Sequence, residues 1–237
     1  MNKEEFKSII KRADYKTKYE PIIDIKNDNK IFAYEALSKF AIDEKIISTE
    51  EIFRKLHYYN NLFFELEKRN KLHQVNKFDK KEKLFLNFDA DIVKTEEQKN
   101  YWEKFLKQYK DNIVVEITEN GSDDEVSSSI MRSFAMWLKE KGIDSALDDF
   151  AQDGSMFSFF IMNRCKYIKI DKSFLKQIKT NKNYISYLCG LLETIRKNGQ
   201  KSIIEGVETK EDLDLIQNKL DCDFVQGYYF SNLTLIR

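Results

Sequence analysis

Apolar runs recur along this chain, and each stops on, or just before, an acid, an amide or a lysine. The stops are Glu35, Asn87, Glu116, Asp148 with Asp149, Lys169 with Asp171, Glu205 and Gln226. The runs predict strands over 19–25, 31–40, 84–88, 113–118, 145–150, 167–171, 202–206 and 224–230. They are rich in Ile, Val, Phe and Tyr, as strands are. A charge stranded at the end of a buried strand costs several kcal/mol unless it is partnered. One such ending is ordinarily a solvated loop residue or a helix cap. A series of them, spaced roughly one β/α unit apart, points to a ring of strands aiming polar groups at one shared site. Parallel α/β barrels build sites that way at their C-terminal rim.

Residues 26–30, with Asn27, Asp28 and Asn29, are too short a link for a helical crossover. The first two strands therefore form a hairpin, and the predicted fold is an α/β, TIM-like (β/α)8 barrel with an antiparallel first strand. A helix over 1–14 precedes it. A second helix spans 122–141. It opens on Ser122-Asp123-Asp124-Glu125, repeats Val126, Ile130, Phe134 and Leu138 at i+4, and stops at Gly142. A helix over 183–198 stops at Gly199 in the same way, and Thr209 to Asp212 resembles a capping box. Residues 48–75 predict one or two helices whose aromatics pack in the core. Residues 155–162 predict a short apolar helix buried against the barrel.

Length and charge narrow the class. The chain has 237 residues, enough for one barrel domain over 1–237. Lys+Arg and Asp+Glu are 40 each, so no bulk attraction to nucleic acid or a membrane surface is expected. No apolar stretch has the length of a membrane span, and the N-terminus lacks an apolar signal core. Cys165, Cys189 and Cys222 are odd in number; the expectation is a reducing cytoplasm, with each Cys a small buried apolar residue.

The chemistry of the strand ends is that of hard oxygen ligands. The two histidines, His57 and His73, fall inside the 48–75 helical stretch, away from every strand end, so a zinc site or a Ser-His-Asp triad is not expected. Carboxylates with an amide suit Mg²⁺ or Mn²⁺. Adjacent Asp148 and Asp149 repel unless a cation lies beside them, and one carboxylate can bridge two ions. Lys169, close to such acids, can hold a water or stabilise charge on a phosphoryl oxygen. Taken singly, Asp148 also suits a helix cap, and Lys169 with Asp171 an internal salt bridge.

These residues resemble an ordered set of family motifs. Glu35-Ala36-Leu37 is similar to the signature of the EAL domain, the bacterial cyclic di-GMP phosphodiesterase family. Tyr19-Glu20-Pro21-Ile22 resembles its opening strand, and Asn87 stands at its ligand asparagine. Glu116-Ile117-Thr118-Glu119, Asp148-Asp149-Phe150, Lys169-Ile170-Asp171, Glu205-Gly206-Val207-Glu208-Thr209 and Gln226-Gly227-Tyr228 follow in order, over roughly 19–233. The resemblance implies hydrolysis of cyclic di-GMP to linear pGpG with two ions of Mg²⁺ or Mn²⁺. It implies that Glu35, Asn87, Glu116 and Asp148 hold one metal, and Asp148 with Asp149 the second. Lys169 and Glu205 would orient and activate water, and Gln226 would help position it. Glu119 would anchor the loop after Asp149, with Asp171 and Glu208 in support. It also implies a homodimer contact at that loop.

The chain departs from the pattern at two places that matter. Ser38-Lys39 stands for Leu-Arg, so a phosphate contact falls to Lys39, which lacks the bidentate fork of arginine. The loop after Asp149-Phe150 reads Ala151-Gln152-Asp153-Gly154 where glycines are usual, and alanine resists positive φ. Glu20 replaces a glutamine. These changes keep a second reading open: an EAL-like receptor that binds cyclic di-GMP or a protein partner with little turnover. A different metal-assisted barrel enzyme with paired carboxylates is a third reading, against which the ordered motifs argue.

Overall fold

The computed structural model describes residues 3–42, 45–118, 125–152 and 159–234. The strands are β1 (Asp14–Asp24), β2 (Lys30–Ile42), β3 (Lys45–Ile47), β4 (Lys83–Phe88), β5 (Ile113–Thr118), β6 (Ser145–Phe150), β7 (Tyr167–Ile170), β8 (Lys201–Ile204) and β9 (Phe224–Gln226). Eight of them close a barrel in the order β1-β9-β8-β7-β6-β5-β4-β2, with the β1–β2 pairing completing the ring. β2 and β4 to β9 pair in parallel, whereas β1 is antiparallel to both neighbours. Among the described residues, β3 pairs only with β2. This is the TIM-like (β/α)8 barrel with an antiparallel first strand that the patterning predicts.

The hairpin turn explains the reversed strand. The Lys30 amide donates to Asn27 O at 3.1 Å, and Asp28 and Asn29 between them both have φ of 53°. Two successive positive φ values match the right-handed twist of a hairpin, and Asp and Asn tolerate them best after glycine. β2 pairs with β4 only over Ala33–Ala36, yet pairs with β1 as far as Ala41. The hairpin thus continues beyond the barrel wall.

Strand alternation divides the chain between two cores. Outward residues such as Leu86, Val115, Leu147, Ile168 and Ile204 pack beneath the helices. Those helices are α1 (Lys3–Arg12), α2 (Thr49–Leu56), α3 (Asn60–Lys77), α4 (Glu96–Gln108), α5 (Glu125–Glu140), α6 (Phe159–Met162), α7 (Ser173–Thr180), α8 (Tyr184–Lys197), α9 (Lys210–Lys219) and α10 (Tyr228–Thr234). Inward residues Ile22, Ala33, Phe85, Val114, Ala146, Tyr167, Ile203 and Phe224 form a separate small core inside the lower barrel. Phe32 stacks on Phe224 with ring centroids 4.0 Å apart and packs against that plug.

Several boundaries differ from the sequence expectation. The strand expected over 224–230 stops at Gln226, because Gly227 turns the chain at φ 157° and α10 begins at Tyr228. The expected 48–75 stretch is two helices, α2 and α3, separated by a 3-10 turn at His57–Tyr59. β3, α4 and α7 were not singled out by the apolar pattern. α4 carries its own signal, a capping box between Thr95 and Gln98. Cys165 and Cys222 are buried as expected, but Cys189 is exposed on α8. The start expected at Ser122–Asp124, and Asp153–Ser158 with the homodimer loop, lie outside the described residues. None of the described helices is long and apolar enough to cross a membrane.

The expected capping box at α9 uses an aspartate. The Asp212 carboxylate accepts from the amides of Glu208 (3.2 Å) and Thr209 (3.1 Å) and lies 2.7 Å from Lys179 Nζ. Burial works to raise its pKa, but the Lys179 contact and these amides outweigh burial and hold it below the usual range. A carboxyl lowered by folding stabilises above its unfolded pKa of about 3.9 and loses that contribution in acid. Asp212→Ala is expected to lose about 1 kcal/mol in urea unfolding at pH 7. The gap to the wild type should close below about pH 4.

Candidate active site

Two residues above each plug residue, toward the C-terminal ends of the parallel strands, the inward position becomes polar. Phe85 is followed by Asn87, Val114 by Glu116, Ala146 by Asp148, Tyr167 by Lys169, Ile203 by Glu205 and Phe224 by Gln226. On β2 the pair is Ala33 and Glu35. On the reversed β1 the order inverts, so Glu20 lies above Ile22, directly opposite Glu35 in register. A strand period of two therefore places Glu35, Asn87, Glu116, Asp148, Lys169, Glu205 and Gln226 in one layer.

Asp149 is the exception to the period, and a bulge explains it. The β6–β7 register breaks between Leu147 and Phe150, and Asp149 has φ of 51°. The extra residue lets two consecutive acids serve one site and returns Phe150 to the outer core. Carboxylate oxygens of Asp148, Asp149 and Glu205 all lie within 4.8 Å of one another, as do those of Glu35, Glu116 and Asp148.

One ammonium group sits among these acids. Lys169 Nζ is 2.7 Å from Glu116 Oε1, 2.7 Å from Asp148 Oδ1, 2.9 Å from Glu205 Oε1 and 3.3 Å from Glu35 Oε2. Two amides add to the ring. Asn87 Nδ2 donates to Glu35 Oε1 at 2.8 Å, and Gln226 Nε2 donates to Glu35 Oε2 at 2.6 Å. Glu116 Oε2 is buried with no hydrogen-bond partner among the described residues.

The charges do not balance, and the pKa values respond. Burial opposes the Lys169 ammonium, but Asp148, Glu116, Glu205 and Glu35 outweigh it and hold its pKa well above the ordinary lysine value. Burial also raises Glu35, yet Lys169 and the two amides bring it below the usual range. Glu116 is pushed well up by burial and by the charge of Glu35. Burial raises Asp148, pushes Asp149 up to about 6 and pushes Glu205 up to about 8. One cation cannot satisfy five clustered carboxylates. Hard oxygen donors, excess negative charge and the unpartnered Glu116 oxygen together fit a divalent cation such as Mg²⁺ or Mn²⁺.

The supporting residues are placed unevenly. Asp171 is buried, and its Oδ1 accepts from the Ser173 amide at 2.8 Å, which fastens the start of α7. Glu208 is exposed; among its described contacts, its amide rather than its carboxylate is engaged, by Asp212. Lys39 is exposed on the hairpin extension, opposite Lys16. Glu119 lies outside the described residues.

Other residues of the site were read in the sequence only as members of the motifs or as departures from them. Glu20 Oε1 lies 3.4 Å from Gln226 Nε2, so a second glutamate shares that amide. Gly206, at φ 76°, rests against Lys172, where an added Cβ would come within 2.3 Å of the Lys172 Cβ. Gly227 rests on the Val207 backbone just as closely: an added Cβ would come within 2.3 Å of Val207 O. The two glycines lock the loops after Lys169, Glu205 and Gln226 into one belt. On the far side, Ser38 Oγ is held by Asn70 (2.8 Å) and Gln74 (3.0 Å) from α3, beside a buried Glu67–Lys71 pair at 2.8 Å. The polar residue that departs from the motif thus has partners made for it.

The family model of the EAL domain matches residues 3–232. The chain belongs to that family. Over 149 residues it is 34% identical to the probable cyclic di-GMP phosphodiesterase PdeG of Escherichia coli K12, covering 61% of this chain and 29% of PdeG. It spans less than half the length of the curated relatives it matches first. Among solved structures, an EAL domain protein from Listeria monocytogenes EGD-e superposes with a TM-score of 0.75 at 22% identity, covering 97% of this chain and 92% of that one. The Bacillus subtilis YkuI protein, in complex with substrate c-di-GMP and calcium, superposes with a TM-score of 0.74 at 20% identity, covering 97% and 58%. These likenesses carry the fold; the site of this EAL domain stands on its own distances.

Lys169 is the test of that site. Lys169→Met strips the counter-charge from buried carboxylates, a loss of about 3–5 kcal/mol in chelator at neutral pH. Lowering the pH should shrink the loss, because the raised carboxyls then protonate. Millimolar Mg²⁺ or Mn²⁺ should stabilise the variant more than the wild type, as read by denaturant unfolding with and without metal.

Proposed function

We propose that this EAL domain is a metal-dependent phosphodiesterase that hydrolyses cyclic di-GMP to linear pGpG. The observation that carries the reading is the buried polar layer of Glu35, Glu116, Asp148, Asp149 and Glu205 around one lysine, at the open end of the barrel. Glu35, Asn87, Glu116 and Asp148 would hold one ion of Mg²⁺ or Mn²⁺, and Asp148 with Asp149 a second. Such ions neutralise the phosphodiester and supply a nucleophile near neutral pH.

The chain's own residues do the rest. The Lys169 ammonium stays charged throughout and stabilises negative charge developing on a phosphoryl oxygen. Glu205, 2.9 Å from that ammonium, takes up the proton of the attacking water. Gln226 holds Glu35 and the water in register. Lys39 meets a ligand phosphate from the hairpin, Asp171 fastens the start of α7, and the family motif assigns Glu119 and Glu208 to loop support. Cyclic di-GMP is the ligand in this reading, and the reaction takes place in the cytoplasm.

The experiment is incubation with cyclic di-GMP and Mn²⁺ or Mg²⁺, with linear pGpG as the readout. The wild type should produce it, faster with Mn²⁺. Glu35→Ala and Asp148→Ala should each cut the rate by about 100- to 1,000-fold or more with the circular dichroism spectrum unchanged. An unaltered rate in either variant ends the assignment.

One observation favours the second reading, a receptor that binds without useful turnover. Ala151 is buried at φ 68°, a conformation that costs a residue with a Cβ about 1–2 kcal/mol. It follows the bulge that carries Asp149. Ala151→Gly should raise stability by up to about 1 kcal/mol and speed turnover with little change in ligand affinity. A wild type already fast, with no gain in the glycine variant, shows that this strain does not limit the enzyme.

A further inference from the structure

We propose that Tyr228, backed by Lys18, is a stacking platform for a nucleobase of the bound nucleotide. The inference rests on the reading of the site as one for cyclic di-GMP and goes beyond it, because it assigns a base subsite to residues outside the acid layer. Tyr228 is the first residue of α10, two positions after Gln226, and the residue is 60% exposed. The close contact of Gly227 with Val207, and the Tyr229 amide donating to Val207 O at 3.0 Å, fix where that ring stands.

The ring is joined to the acids by an unbroken chain of contacts. Lys18 Nζ lies 5.1 Å from the Tyr228 ring centroid and 2.9 Å from Glu20 Oε2. Glu20 Oε1 lies 3.4 Å from Gln226 Nε2, which donates at 2.6 Å to Glu35. Glu20 stands where the family motif has glutamine. It supplies the charge that holds Lys18 over the ring. An exposed aromatic face beside a fixed cation, at the rim of a site for a phosphodiester, matches how nucleotide ligands are held. Bases stack on aromatic rings and on cations, while the backbone seeks positive charge. Lys39 stands farther along the same hairpin, opposite Lys16, whose Nζ lies 3.4 Å from Asp14 Oδ2.

The test is titration of cyclic di-GMP in calcium, with the guanine H8 resonance followed by NMR, alongside kcat and KM in Mn²⁺. In the wild type H8 should shift upfield on binding, from the ring current of Tyr228. Tyr228→Leu should lose that shift and raise Kd and KM by about 10-fold or more, with kcat within about 2-fold. Tyr228→Phe and Tyr228→Trp should keep both shift and affinity. Lys18→Met should raise Kd several-fold. Tyr228→Leu binding as tightly as the wild type, with H8 still shifted, overturns the subsite and leaves the phosphodiesterase reading standing. A wild type that binds no cyclic di-GMP overturns that reading, and the subsite falls with it.

Discussion

The upper half of this barrel depends on one lysine. Lys169 reaches four carboxylates from four other strands, β2, β5, β6 and the end of β8. Without that ammonium the inward acids would repel across a space too small to screen them. With it, the excess of negative charge is held back but not cancelled. The layer is therefore stable enough to fold and keeps a set of hard oxygen donors that a divalent cation would neutralise. Fold stability and metal affinity draw on the same charges, so neither can be altered alone.

The geometry around the lysine follows from two simple rules and one exception. A period of two sends apolar residues to the plug and polar residues to the layer above it. The reversed first strand obeys the same rule upside down, which is why Glu20 meets Glu35 rather than Ile22. The bulge at Asp148-Asp149 breaks the rule, and among the described residues it is there that neighbouring residues share the site. The loops above are then tied together by backbone contact at Gly206 and Gly227, where no side chain fits.

Much of this was legible in the chain. The polar stops marked the strand ends, and the length of the 26–30 link excluded a crossover. The parts that escaped depend on three-dimensional register. The bulge between Ile22 and Ile23 shifts the hairpin pairing, so the match of Glu20 with Glu35 cannot be counted out from the turn. Ser38 read as a loss, because its partners Asn70 and Gln74 stand more than thirty residues away on a helix. Tyr228 read as the continuation of a strand, since an aromatic run favours one. Only the turn at Gly227 makes it the start of a helix. Capping residues at Thr95 could have revealed α4, whose apolar positions are too sparse to announce it.

The aromatic floor of the barrel carries a further consequence. Phe32, Phe85, Tyr167 and Phe224 close the lower end with packed rings. The interior is a cup, not a tunnel. Among the described residues that lower end offers no way in, so the acid layer is reached from the opposite end. Arrival and departure then become a matter of queueing: a molecule held at the rim bars the next, and the order of exit is set by what lies uppermost.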